Sequence, residues 1–116
     1  MKRMVDEVDR PIFELRQYRI FPGQLDRWVE WMDTTAIPFL ESIDMTVVGS
    51  WSVSETNSYI WIRRFESESE QKRLTALQYE NETWVKEMRP IINEMLDREA
   101  GPVITEMEAS PVSAIR

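Results

Sequence analysis

Residues 13–19 read FELRQYR, and the rest of the chain is organised around this stretch. Phe13 and Leu15 alternate with Glu14, Arg16 and Tyr18, and this period of two predicts a β-strand. Successive side chains of a strand point to opposite faces of a sheet, so the apolar pair and the polar row lie on different sides. We expect the apolar pair to pack on helices, and the polar row to lie on the face that carries no helix.

Three further strands are predicted from β-branched and aromatic runs. The first strand extends over about residues 12–20 and ends before a Pro-Gly pair. Residues 45–53 and 58–65 flank a polar loop of four residues, which predicts an antiparallel hairpin. Residues 103–109 form the last predicted strand. Gly49 inside the second strand indicates a bulge or a close approach of another group.

Helices are predicted between these strands from apolar side chains spaced three and four residues apart. One extends from about residue 24 to residue 43, and another begins at Asn81 and ends before a Gly-Pro pair. Each contains a proline, Pro38 or Pro90, and we expect a kink or a break there. Ser67 and a glutamate three residues later form a capping box, which starts a shorter helix before the last one.

This order of elements, βαββαβ, predicts an α+β fold of the ferredoxin-like type with a four-stranded antiparallel sheet. We divide the chain into a polar lead-in at residues 1–10 and a single domain at residues 11–116. Helices cover one face of such a sheet, and the other face presents tryptophan, tyrosine, valine and methionine side chains as well as charges, without a cover. A second copy of the chain is the simplest cover, so the sequence predicts a homodimer through the sheet face.

Composition excludes several classes of function. The net charge of −7 opposes binding to a nucleic-acid backbone, and no block of lysine or arginine offsets it. Cysteine and histidine are both absent, which removes the usual ligands of zinc and haem, so we expect no metal and no other cofactor. No apolar run approaches the roughly 20 residues of a membrane helix. The N-terminus lacks the apolar centre of a signal peptide, and we expect a cytoplasmic protein without membrane contact.

Several short motifs in order resemble the NIPSNAP family over about residues 12–112. They are Phe13-Glu14-Leu15-Arg16-x-Tyr18, Pro22-Gly23, Val48-Gly49-Ser50-Trp51, Asn57, Trp84 and Ser110-Pro111. The resemblance implies a dimeric α+β barrel, in which two ferredoxin-like subunits place their sheets face to face. Trp61 stands where the family tends to have histidine, and Arg63 stands where it tends to have tryptophan. Any activity that needs that histidine is therefore not implied here.

Two rows of side chains are the candidates for function. Glu14, Arg16 and Tyr18 share one face of the first strand, as a possible general base, oxyanion binder and proton donor. A structural ion pair is the alternative for this row. Tyr59, Trp61 and Arg63 are continued by Phe65 on one face of the third strand, beside the first row, and suit a flat anionic or phenolic ligand. Packing at a dimer interface is the alternative for this second row.

Three functions follow from these candidates. The first is a small enzyme that acts on an apolar or aromatic compound in the barrel, without metal or haem. The second is a non-catalytic module that binds a small molecule or a protein. The third is a structural dimer whose barrel is filled by its own side chains.

Overall fold

A computed structural model describes residues 10–116, so the predicted lead-in at residues 1–10 lies outside the described residues except for its last position. Four antiparallel strands form one sheet in the spatial order β2-β3-β1-β4. This is the ferredoxin-like arrangement predicted from the sequence. The strands are β1 (Ile12–Arg19), β2 (Thr46–Val53), β3 (Ser58–Phe65) and β4 (Val103–Met107).

Helices follow β1 and β3, as the apolar periodicity predicts. Two of the α-helices are preceded by a π-helical turn, and in both cases the chain stays helical through the junction. The helices are α1 (Leu25–Trp31), α2 (Ile37–Ser42), α3 (Glu68–Glu80) and α4 (Arg89–Met95), and the π-helical turns are Met32–Ala36 before α2 and Trp84–Met88 before α4.

The two π-helical turns explain how the prolines are accommodated. Pro38 and Pro90 each stand in the first turn of the α-helix that follows a π-helical turn. Proline donates no backbone hydrogen bond, and its ring crowds the carbonyl four residues earlier. A locally wider helical turn relieves that crowding. The interruption predicted at each proline is therefore a π-helical turn rather than a break in the helix.

Side-chain caps fix the starts of the later helices. The Ser67 hydroxyl oxygen accepts from the Glu70 backbone N–H at 3.1 Å, as the capping box predicts. The Glu70 carboxylate in turn accepts from the Glu66 backbone N–H at 3.0 Å. The Asn81 side-chain oxygen accepts from the Trp84 backbone N–H at 3.2 Å. These bonds satisfy N–H groups that have no partner within the helix.

The helices cover the face of the sheet that carries the polar row, and the expected assignment of the two faces is wrong. Tyr18 packs edge-on against Trp28 of α1, with ring centroids 5.8 Å apart. The Glu14 carboxylate accepts a hydrogen bond from Gln71 of α3. Phe13 lies on the opposite face. The polar row can face the helices because its charges are paired with one another, which removes most of the cost of burying them.

The helix-free face of the sheet is largely apolar. The β2 strand changes register between Val47 and Gly49, which is the bulge predicted there. The Trp51 ring lies over Gly49, and a Cβ atom at that position would come within 2.6 Å of the ring. The C-terminal segment covers one end of this face, and Arg64 donates to the Arg116 carbonyl at 2.8 Å. Within residues 10–116, no helix is both long enough and apolar enough to cross a bilayer.

Candidate functional site

The two predicted rows lie side by side, as the ferredoxin-like order requires. In the pairing of β1 with β3, Glu14 is opposite Arg63, Arg16 is opposite Trp61, and Tyr18 is opposite Tyr59. All six side chains are buried between the sheet and the helices. The prediction that these residues form one neighbouring set is confirmed, although the set faces the helices and not a second sheet.

Glu14 is the centre of a buried ion-pair network. Its Oε1 atom accepts from Arg63 Nε at 3.0 Å, from Arg63 Nη2 at 2.7 Å and from Arg16 Nη1 at 3.0 Å. Its Oε2 atom accepts from Gln71 Nε2 at 2.7 Å. Burial alone would raise the pKa of this carboxyl, but Arg63, Gln71 and Arg16 outweigh burial and lower it. Glu14 is therefore ionised, and both of its carboxylate oxygens accept hydrogen bonds.

Each of the three nitrogen atoms of the Arg63 guanidinium donates to a protein group. Beyond its two bonds to Glu14, its Nη1 atom donates to the Gln78 side-chain oxygen at 3.0 Å and contacts the Met45 sulfur at 3.4 Å. Its guanidinium carbon lies 5.5 Å from the centre of the Trp61 ring. Burial, together with the nearby Arg16 charge, lowers the pKa of Arg63. The role of Arg63 in this geometry is to hold Glu14 and the strand face in place.

Arg16 has a different environment, because part of its guanidinium borders open space. Its Nε atom donates to the Tyr18 hydroxyl at 2.9 Å, and its Nη1 atom donates to Glu14. Nη2 has no hydrogen-bond partner among the described residues. Burial acts against the charge, but Tyr18 and Glu14 outweigh burial and raise the pKa of Arg16. Its guanidinium also stacks near the Trp61 ring, at 5.6 Å from the ring centre.

A cavity of about 370 Å³ lies between this part of the sheet and the helices. Both π-helical turns contribute to its wall, through Met32 and Ala36 from one and Trp84 from the other. Widened helical turns thus border the cavity from two sides. Six of its lining side chains are aromatic: Tyr18, Trp28, Trp31, Trp61, Tyr79 and Trp84.

The ionised side chains of the cavity wall are all cations, and its other polar side chains are Gln78, Asn93 and two tyrosines. Arg16 lies in the wall, and Arg89 and Arg98 line its exposed side. No aspartate or glutamate of residues 10–116 lines the cavity. The indole N–H groups of Trp28 and Trp61, which line it, are buried without an acceptor in the described part of the chain. Buried donors are normally satisfied, so this wall is short of acceptors.

The structure divides the predicted site residues into two groups. Arg16, Tyr18 and Trp61 line the cavity, whereas Glu14, Tyr59 and Arg63 lie behind the wall or beside it. Burial raises the pKa of Tyr59, which keeps that phenol protonated. Within residues 10–116, no three acidic residues are grouped in a way that would hold a metal ion.

Sequence analysis missed the helical half of the cavity. Trp28 and Trp84 have the periodicity of core residues, and they are indeed buried, but their rings border a hole. Nothing in the sequence marks Arg89 and Arg98 as cavity residues, because an arginine near a helix end is usually solvated. Trp51 is half exposed on the other face of the sheet and does not line the cavity.

Comparison with known proteins places the fold. No protein-family model matches the chain, and no curated protein sequence does. A NIPSNAP family protein from Agrobacterium tumefaciens superposes with a TM-score of 0.81 at 16% identity, covering 92% of this chain and 100% of that one. A second Agrobacterium tumefaciens protein, described as a NIPSNAP family protein with unknown function, superposes with a TM-score of 0.81 at 17% identity. The match covers 93% of this chain and 96% of that one.

The chain has the fold of these NIPSNAP structures. The resemblance seen in the sequence is therefore confirmed at the level of the fold. A putative antibiotic biosynthesis monooxygenase from Bacteroides thetaiotaomicron is more distantly similar, with a TM-score of 0.57 at 13% identity, covering 90% of this chain and 91% of that one. These similarities show the fold alone, so the function of this chain has to be argued from the cavity.

Proposed function

We propose that this protein binds a small hydrophobic or aromatic compound in the cavity between its sheet and its helices. Two hollows at the protein surface are as large or larger, but the lining of this cavity carries the proposal, because it combines aromatic side chains with the buried Arg16. Its 370 Å³ volume and its six aromatic side chains are typical of a small-molecule site. Arg16 and Tyr18 supply the few polar groups that orient a ligand in such a site.

Binding is better supported than proton abstraction. Glu14 was the candidate general base, but its oxygens are occupied by Arg63, Arg16 and Gln71, and its lowered pKa makes it a weak base. The chain has no histidine to take its place. Tyr18 remains a candidate hydrogen-bond donor, because its oxygen accepts from Arg16 and its hydroxyl proton is free to be donated. We assign Tyr18 as a hydrogen-bond donor to the ligand.

We also propose that a second copy of the chain covers the helix-free face of the sheet. Trp51 is half exposed there, and Leu15, Ile60 and Ile62 on the same face are only partly covered. An apolar face of this kind is a typical site of protein association. The resemblance to dimeric α+β barrels supports the same partner. Size-exclusion chromatography with light scattering tests this proposal, and a monomeric mass at micromolar concentration contradicts it.

Tryptophan fluorescence tests the ligand proposal directly. Four of the five tryptophans line the cavity, and Trp51 alone lies on the other face. We therefore expect bound compounds to change the emission of the Trp51→Phe variant as strongly as that of the wild type. A response that disappears in Trp51→Phe contradicts the proposed site, since the compound would then bind on the sheet face.

A cavity-filling variant adds a matched control. Ala36 lines the cavity and is buried, so Ala36→Leu places extra methyl groups in the open space. Ala76 lies exposed on α3, and Ala76→Leu is the same change without a cavity. We expect Ala36→Leu to weaken binding at least about tenfold, and Ala76→Leu to leave it unchanged. Native mass spectrometry of the purified protein identifies any compound that co-purifies.

A further inference from the structure

We infer that the ligand of this cavity is an organic monoanion with an aromatic body, and specifically an aryl or arylalkyl carboxylate bound by Arg16. The inference rests on the proposed function and adds the chemical class of the ligand. Three features of the described residues support it. They are the excess of buried positive charge, the positive charge of the cavity lining, and the hydrogen-bond donors in the lining that have no acceptor.

The buried charges do not balance. Among the described residues, the buried ionised side chains are Glu14, Arg16 and Arg63, which amount to two cations and one anion. Arg63 donates two hydrogen bonds to Glu14, whereas Arg16 donates only one. The two cations share one carboxylate, which leaves one buried positive charge in excess, and arginine cannot relieve it by losing its proton. One negative charge beside Arg16 completes the balance.

The ionised side chains of the cavity lining are all positive, although the chain as a whole is negatively charged. The chain carries a net charge of −7, yet the three ionised side chains in the cavity wall are arginines. Arg16 lies inside, and Arg89 and Arg98 lie on the exposed side of the cavity. A cleft lined with one sign of charge raises the local concentration of ligands of the other sign. This lining favours an anion and excludes a cation.

Several free polar groups of the wall are donors. Arg16 Nη2 has no partner in residues 10–116, and the Tyr18 proton is free because its oxygen accepts from Arg16. Gln78 lines the cavity, and its side-chain oxygen is engaged by Arg63, so its amide NH₂ group is the part left over. Donors require acceptors, and a carboxylate offers two charged oxygens, one for Arg16 Nη2 and one for the Tyr18 hydroxyl.

The aromatic walls and the volume define the rest of the ligand. Trp28, Trp61 and Trp84 offer flat apolar surfaces on which a ring packs. A volume of 370 Å³ suits a compound of roughly one to two rings. A phosphate ester carries more negative charge than the one excess cation that is buried, since Arg89 and Arg98 are exposed to solvent. The assignment is therefore a carboxylate and not a phosphate.

Matched pairs of compounds test the inference. We would titrate the wild-type protein by isothermal calorimetry with 1-naphthoate, with its neutral isostere 1-naphthamide, and with 1-naphthyl phosphate; benzoate with benzamide, and phenylacetate with phenylacetamide, extend the size range. We expect each carboxylate to bind about 10- to 100-fold more tightly than its amide, the range for a hydrogen bond to a charged group. The phosphate is expected to bind more weakly than 1-naphthoate.

Arg16→Gln shows whether this preference comes from Arg16. The variant leaves Glu14 paired with Arg63 and Gln71, so the remaining buried charges balance and we expect it to fold. The preference for carboxylate over amide should fall to about one, mainly through the loss of carboxylate affinity. Arg73→Gln, the same change on the exposed face of α3, should keep the full preference.

The outcomes separate the two proposals. If amides bind as tightly as carboxylates, the inference is wrong and the proposed binding function stands. If the phosphate binds more tightly than 1-naphthoate, the carboxylate assignment is wrong. If no compound of either kind binds, the proposed function itself fails. The wild-type comparison needs no variant, so the inference remains testable even if Arg16→Gln does not fold.

Discussion

Glu14→Gln is expected to destabilise the fold by about 3 kcal/mol at neutral pH. The change keeps the shape of the side chain and removes its charge. In the wild type, the carboxylate accepts three hydrogen bonds from the guanidinium groups of Arg16 and Arg63, at 2.7–3.0 Å. Breaking a buried ion pair by removing one partner costs about 3–5 kcal/mol, because the other charge is left uncompensated. The amide oxygen still accepts hydrogen bonds, which favours the lower end of that range.

Urea unfolding followed by circular dichroism measures this loss. Small domains have a total stability of about 5–15 kcal/mol, so the variant should still be folded at pH 7. Glu68→Gln is the matched control, since Glu68 pairs with Lys72 at 3.0 Å on the exposed surface of α3. An exposed pair of this kind contributes at most about 0.5 kcal/mol. A loss below about 1 kcal/mol for Glu14→Gln would refute the argument that its charge organises the strand face.

The pH dependence of the same variant gives a second check. The pKa of Glu14 is lower in the folded protein than its ordinary value near 4.5, because Arg63, Gln71 and Arg16 together outweigh burial. A carboxyl with a lowered pKa contributes stability above its unfolded-state pKa, and this contribution is lost as the pH falls through the folded-state value. The difference in stability between wild type and Glu14→Gln should therefore be full at pH 7 and shrink below about pH 4. A difference that stays constant from pH 7 to pH 2 contradicts this account.

Two further predictions concern other parts of the chain. Ile60→Lys places a charge on the helix-free face of the sheet and should convert a dimer to a monomer in light scattering, whereas Leu77→Lys, on the exposed surface of α3, should leave the mass unchanged. Ser67→Ala removes the cap of α3 and should lower stability by about 1 kcal/mol in urea unfolding. Ser69→Ala removes a hydroxyl 3.1 Å from that of Ser67 but leaves the Ser67–Glu70 bond in place, and it should change stability by less than about 0.5 kcal/mol.

Much of the fold could be predicted from local patterns in the sequence. Period-two alternation identified β1, and the run from Ser58 to Phe65 matches β3 at both ends. The capping pattern at Ser67 placed the start of α3 at the correct residue. These features depend on neighbours close in sequence, where backbone geometry alone dictates the spacing. The pairing of β1 with β3 followed from the order of the elements.

The orientation of the sheet could not be predicted in this way. The sequence shows that Glu14, Arg16 and Tyr18 share a face of β1, and it suggests that such a face avoids the helices. In the structure, Arg63 from β3 and Gln71 from α3 satisfy Glu14, which makes burial of the polar face possible. Whether a charged row can be buried depends on partners distant in sequence, and only the tertiary structure supplies them.

The sequence by itself therefore determined the elements, their order and the two neighbouring rows of β1 and β3. Only the tertiary structure decided which face the helices cover, and that a cavity remains beneath them. Periodicity assigns Trp28 and Trp84 to the core, but it does not report whether the core is filled. A cavity is a property of how side-chain volumes from several elements fit together, and no single stretch of the chain encodes it.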